Sequence, residues 1–189
     1  DSSDAIQLLI LFILLIFSAI FSSAETSLTT ANRIRMRSLA EDGNKKAASF
    51  LSITENQGKM LSAILIGNNV VNLSLSSMAT ILATRLLGDA GAGIATGIVT
   101  LFVLVFGEIS PKTIAALHSE KLALFYARPV QAMMTVLTPV IFALDQLSRG
   151  FLFLLRIDPD AKAESITESE LRTMVDVSHE EGVIESEER

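Results

Sequence analysis

Three short stretches of this chain carry polar oxygen inside or at the end of long apolar runs. They are Ser18-Ala19-Ile20-Phe21-Ser22-Ser23-Ala24-Glu25, Gly67-Asn68-Asn69-Val70-Val71-Asn72 and Gly107-Glu108-Ile109-Ser110-Pro111-Lys112. Polar and ionisable groups are costly at membrane depth, so their presence there points to function. All of them offer hard oxygen as hydroxyl, amide, carbonyl or carboxylate. That is ligand chemistry for Mg²⁺ or Ca²⁺, not for a soft metal.

On a helix, Ser18, Ser22 and Glu25 fall on one stripe. Asn69, Asn72 and Ser76 form a second stripe, with Asn68 about 100° away from Asn69. Glu108 is an ionisable group directly after the apolar run 101–106. Pro111 has no N–H, so the Gly107 carbonyl loses its helical partner and becomes available to a cation. Glycine at 107 also lets a ligand approach the backbone closely. Structural readings compete with each assignment. A membrane serine bonds the carbonyl one turn back, asparagine bonds across helices, and Glu108 has an i,i+4 partner in Lys112. Glu25 lies close to the inner interface, where pairing with a basic residue or capping accounts for it, so it is left out of the ligand set.

These groups need membrane helices to position them, and the composition provides for such helices. The chain has 189 residues, half of them hydrophobic, with a mean hydropathy of +0.48. There is no cysteine, which excludes disulfides, zinc–thiolate sites and thiol catalysis. His118 and His179 lie far apart in sequence. No nucleophile–base pair or nucleotide-binding loop marks an enzyme. The formal charge of −6 is unevenly spread: residues 157–189 hold 11 acidic and 3 basic side chains, leaving the first 156 residues slightly basic. Nucleic acid is therefore not an expected partner.

Apolar blocks predict spans at about 5–24, 60–87 and 94–117, each long enough for a hydrocarbon core of about 30 Å. The acidic flank at Asp1 and Asp4 argues against a cleaved signal peptide. The polar stretch between the first two spans predicts short amphipathic helices over about 31–42 and 45–56, broken at Gly43-Asn44. Residues 129–155, interrupted by Pro139, Asp145 and Arg149, read as a helix–break–helix lying along or dipping into the inner leaflet. Arg33, Arg35, Arg37, Lys45, Lys46 and Lys59 follow the first span, which orients the N-terminus outside and the acidic tail in the cytoplasm. The domain boundary is thus expected near 156. In the tail, Thr167 to Glu170 forms a capping box, and a helical apolar stripe follows. The pattern is still running at Arg189, which predicts further chain beyond it. Gly93 and Gly97 match the small-xxx-small pattern of helix dimers. The fold expected is an all-α membrane protein in the cell membrane, with three transmembrane helices plus juxtamembrane or re-entrant ones.

Phe21-Ser22 with Glu25-Thr26, then Gly67-Asn68-Asn69 with Asn72, then Glu108-Ile109 with Pro111-Lys112, resemble the transmembrane domain of the CorC/CNNM magnesium transporter family. Ile166-Thr167-Glu168 to Glu181-Gly182-Val183-Ile184 is similar to that family's acidic helical segment, which precedes paired CBS domains. The resemblance covers nearly the whole chain. It implies a homodimer with three spanning helices per subunit and a juxtamembrane helical belt. It also implies Mg²⁺ export coupled to Na⁺ entry, with a dehydrated Mg²⁺ held between helices. Carried over, the ligands are Ser18, Ser22, Asn69 or Asn72, Gly107 and Glu108, supported by Ser76, Pro111 and Lys112. ATP binding belongs to the CBS pair, which does not lie within these residues. A membrane-anchored Mg²⁺ sensor that regulates another transporter is the alternative.

Overall fold

The structure, a computed structural model, describes residues 2–155. These residues are almost entirely helical, and no strand occurs among them. The helices are α1 (Ser2–Thr30), α2 (Arg33–Glu41), α3 (Lys45–Glu55), α4 (Gln57–Leu87) and α5 (Asp89–Phe102). A π-helical segment, Val103–Ile109, leads into α6 (Ser110–Leu117), followed by α7 (Ser119–Val136) and α8 (Thr138–Leu154).

Asparagine starts three of these helices. Asn32 Oδ1 accepts from the amides of Ile34 and Arg35 at 2.9 and 3.2 Å. Asn44 Oδ1 accepts from Lys46 and Ala47 at 3.0 and 3.3 Å, and Asn56 Oδ1 from Lys59 at 3.0 Å. Each satisfies amides that a helix N-terminus leaves without partners. Gly43 and Gly88 end α2 and α4 with φ of 88° and 73°, a left-handed region that favours glycine.

Three stretches are long and apolar enough to cross a membrane: Asp4–Thr30, Gln57–Leu86 and Gly93–Leu117. Their outward faces carry large exposed apolar side chains such as Leu8, Phe12, Leu73, Ile81 and Leu101. In water such a surface would aggregate; in a bilayer it meets lipid. The first span is longer than its apolar block predicts. Glu25 to Thr30 remain helical because Ala24 and Leu28 are buried in a core at this end of the molecule. That core joins Met36 of α2, Phe50 and Ile53 of α3, Met60, Ala63 and Ile64 of α4, and Ala123, Tyr126, Ala127, Val130 and Met134 of α7.

Two corrections to the sequence reading concern 118–155. The helix expected to begin at Pro129 begins at Ser119, and Pro129 sits inside α7. Pro129 is exposed while Ala123, Tyr126, Ala127, Val130 and Met134 are buried, so packing of the opposite face holds the helix through the missing N–H. The break falls at Leu137, with α7 and α8 bent by 69°. Pro139 is the second residue of α8, where its lost donor is one the helix would not use. The described residues up to Ala143 form one compact unit, and those from Leu144 onward belong to a second. The core and every contact used below belong to the first. In the second, the described end of α8 exposes Leu147, Phe151, Phe153 and Leu154. The acidic tail's expected capping box and helical stripe lie outside the described residues.

Candidate functional site

Within the first unit α1 is the central helix, in contact with α4, the π segment, α6 and α7. It runs antiparallel to α4. Asp4 near its start pairs with Arg85 near the end of α4 at 3.5 Å, and Phe21 packs on Gly67. A Cβ at Gly67 would lie 2.5 Å from the Phe21 ring, so glycine sets this close approach. By that register the level of Ser18 falls between Asn68 and Asn72. The third span runs parallel to α1. Ser18 abuts Gly107 halfway along, and Glu25 pairs with Lys112 at 3.3 Å further down.

Ser18 and Ser22 are fully buried, and neither hydroxyl has a hydrogen-bond partner among the described residues. Ser62, Ser76 and Ser77 on the spans also lack a side-chain hydrogen bond among the described residues but are not buried, and several other hydroxyls bond a carbonyl one turn back. Ser27 bonds the Ala24 carbonyl at 3.2 Å, Ser74 that of Val70 at 2.7 Å, Thr100 that of Thr96 at 2.7 Å and Thr113 that of Ile109 at 2.8 Å. The back-bonding that would make a membrane serine structural is thus present along the spans and missing at Ser18 and Ser22. A buried polar group without a partner costs about 1–3 kcal/mol and calls for an explanation such as an ion or a water.

A third oxygen of this kind belongs to Asn72. Its Oδ1 is buried without a partner, while its amide nitrogen donates to Asn68 Oδ1 at 3.4 Å. The expected stripe of Asn69, Asn72 and Ser76 is divided by burial on this chain. Asn69 and Ser76 are exposed on this chain, whereas Leu75, Ala79 and Leu82 are buried. Helical spacing allows two stripes through Asn72. The buried leucines lie on the one containing Asn68.

Gly107 is buried against α1, where a Cβ would lie 2.8 Å from Ser18 Oγ and 3.5 Å from a methyl carbon of Leu15. It belongs to the π segment, whose last bond runs from the Ser110 amide to the Val105 carbonyl. A π-turn inside an α-helix is rare and recurs at functional sites. Here it ends just before Pro111, the second residue of α6. Since Pro111 cannot donate, the α-helical bond to the Gly107 carbonyl cannot form. The π register is a feature that sequence reading did not anticipate.

Glu108 is partly buried and makes no ion pair or hydrogen bond among the described residues. The structural reading of Glu108 as the partner of Lys112 is overturned, because Lys112 reaches Glu25 across to α1 instead. The candidate residues at this level are Ser18 and Gly107 in direct approach, Ser22 one turn further along α1, and Asn72 with Asn68 level with them by helix register. Glu108 follows Gly107 directly, and Lys112 lies beyond it as a link between helices. No cluster of three His, Cys, Asp or Glu side chains occurs among the described residues. Such an arrangement can offer neutral oxygens and a carboxylate to a hard cation, and it holds too few charges to bind one tightly. Gln7 Oε1 is also buried without a partner, one turn after Asp4 near the N-terminal end of α1. Sequence reading missed it, because one glutamine next to an apolar run carries no pattern.

Comparison with known proteins bears on the family of the chain. A "UPF0053 protein" of Haemophilus influenzae is 40% identical over 176 residues, covering 91% of this chain and 42% of its own length. The "UPF0053 inner membrane protein YfjD" of Escherichia coli K12 is 41% identical over 162 residues, covering 84% of this chain and 37% of its own length. A "Polyamine export protein" of Haemophilus influenzae is 26% identical over 188 residues, covering 93% of this chain and 43% of its own length. The chain thus spans less than half the length of these relatives. The family model described as "Cyclin M transmembrane N-terminal domain" matches residues 9–188. With three apolar spans and a match of that extent, the chain is a multi-pass membrane protein that belongs to the cyclin M transmembrane domain family, the CNNM/CorC group.

Proposed function

We propose that this domain carries Mg²⁺ across the membrane as its transported substrate, and that the full protein exports it against coupled Na⁺ entry. The observation that carries the reading is the set of three orphaned buried oxygens, Ser18 Oγ, Ser22 Oγ and Asn72 Oδ1. Hydroxyl and amide oxygens suit a hard cation stripped of its water, for which Mg²⁺ demands six oxygens at about 2.0–2.1 Å. The Gly107 carbonyl and the Glu108 carboxylate complete a donor set with one formal negative charge. Weak binding of this kind allows the ion to leave again. In this reading the protein works as a homodimer with its N-terminus outside and the acidic tail in the cytoplasm. ATP acts only through CBS domains beyond this chain.

The name of one relative supports a second reading. An ammonium group also needs oxygen acceptors, so a polyamine is the competing cargo. A sensor that regulates another transporter is the third. The deciding experiment is purified protein in liposomes with an internal Mg²⁺ dye and imposed Na⁺ gradients. A parallel arm measures radiolabelled spermidine. Mg²⁺ flux that follows the Na⁺ gradient supports the proposal. Spermidine flux without Mg²⁺ flux transfers the site to polyamines, and Mg²⁺ binding without any flux leaves a sensor.

A further inference from the structure

A second cavity lies away from the spans, where α2, α3 and the start of α4 meet. Its volume is about 590 Å³, and its charged lining is Arg33, Arg37 and Glu55, with Thr54 and Gln57 beside them. Arg33 and Arg37 are one helical turn apart, so their side chains share a face of α2. Arg33 is held in place, because its guanidinium donates to the Thr54 carbonyl at the end of α3. Arg37 and Glu55 make no ion pair or hydrogen bond among the described residues. The first residue of α4 also lines the cavity, and the N-terminal end of a long helix carries partial positive charge.

The position of the cavity indicates what occupies it. The candidate spans Asp4–Thr30 and Gln57–Leu86 end and begin beside the cavity, which fits a place at the level where headgroups meet water. Ile34, between the two arginines and also lining the cavity, is 83% exposed. A large aliphatic side chain so exposed beside two free or partly free guanidiniums matches an interface, with the apolar group toward acyl chains and the charges toward phosphate. The lining is not purely basic, however. Two cations and one carboxylate complement a headgroup that bears both a phosphate and an amine.

We propose that this cavity binds the headgroup of an ethanolamine phospholipid. Arg33 and Arg37 fork onto the phosphate, and Glu55 accepts from the primary ammonium. Choline carries the same phosphate but has no N–H to donate to Glu55. Glycerol headgroups offer the phosphate and no cation. The arginines therefore give affinity for phospholipid in general, and Glu55 gives the preference among headgroups.

Native mass spectrometry of the detergent-purified chain tests this with ethanolamine, choline and glycerol phospholipids of matched acyl chains. The parent retains the ethanolamine lipid most strongly. Arg37→Gln lowers retention of all three by about tenfold, the effect of losing one charge-assisted contact. Glu55→Gln leaves ethanolamine and choline lipids bound equally. Arg37 has no internal partner, so circular dichroism of the variant matches the parent. Should Arg37→Gln lose helix, Arg37→Lys keeps the charge without the fork and is expected to weaken retention in the same direction. Equal retention of the three lipids by the parent, or unchanged retention in the arginine variants, overturns the proposal. Displacement of the lipid by inorganic phosphate also overturns it, since a soluble phosphate would then be the ligand.

Discussion

Replacing Gly107 with alanine tests the candidate site at its tightest point. The added Cβ would lie 2.8 Å from Ser18 Oγ, closer than real contacts permit, yet 3.4 Å from Ser18 Cβ and 3.5 Å from Leu15. Only the hydroxyl clashes seriously. Two responses are open: the π segment moves off α1, or Ser18 rotates its hydroxyl away. Overpacking of a core costs about 1–3 kcal/mol, and rotation is the cheaper escape. Either response takes Ser18 Oγ from its place beside the Gly107 backbone. If that oxygen is a ligand, its loss is worth about 1.5–3 kcal/mol, or roughly tenfold to a hundredfold in affinity. Thermal unfolding followed by circular dichroism, with and without MgCl₂, reads both quantities, because a ligand of the folded state raises Tm in proportion to its binding. Gly67→Ala serves as the control. It clashes with the Phe21 ring at 2.5 Å and should lower Tm while leaving the Mg²⁺-induced shift unchanged. The Ser18→Ala/Gly107→Ala double variant sharpens the test. Removing Oγ leaves the 3.4 Å Cβ contact, which is close to ordinary, so the pair should be more stable without Mg²⁺ than Gly107→Ala alone. Additive destabilisation, or a normal Mg²⁺ shift in Gly107→Ala, would refute the geometry argued here.

Other substitutions should follow the same logic. Ser22→Ala removes an orphaned buried hydroxyl, so it should raise Tm without Mg²⁺ by the equivalent of about 1 kcal/mol and shrink the Mg²⁺ shift; a fall in the ion-free Tm would show that the hydroxyl has a structural partner. Glu108→Gln should abolish Mg²⁺ binding in calorimetry while keeping the helix content, and unchanged affinity would remove it from the donor set. Asn72→Ala should reduce liposome flux far more than Asn69→Ala, since Asn72 is held by Asn68 and Asn69 is exposed; equal losses would restore the stripe read from sequence.

Much of this protein was legible before any tertiary information. Apolar block length marks three candidate spans, because a bilayer sets the length a helix must cover and leaves the backbone no other way to be satisfied. Asn32, Asn44 and Asn56 and the two left-handed glycines punctuate the helices locally, so the amphipathic pair α2–α3 is written in the sequence as well. The candidate donors, hard oxygens at Ser18, Asn72, Gly107 and Glu108, are also named by residue type and position in the apolar runs. The structure alone decided which face of α4 turns inward, because i,i+3 and i,i+4 spacing through Asn72 fits two stripes and only burial of Leu75 and Leu82 chooses between them. It decided that Lys112 serves Glu25 on another helix, although sequence distance favours Glu108. It also decided that α7 passes through Pro129, because the buried face of that helix outweighs one missing hydrogen bond. Local rules read the backbone, whereas these three outcomes depend on which neighbours compete for a side chain once distant segments pack together.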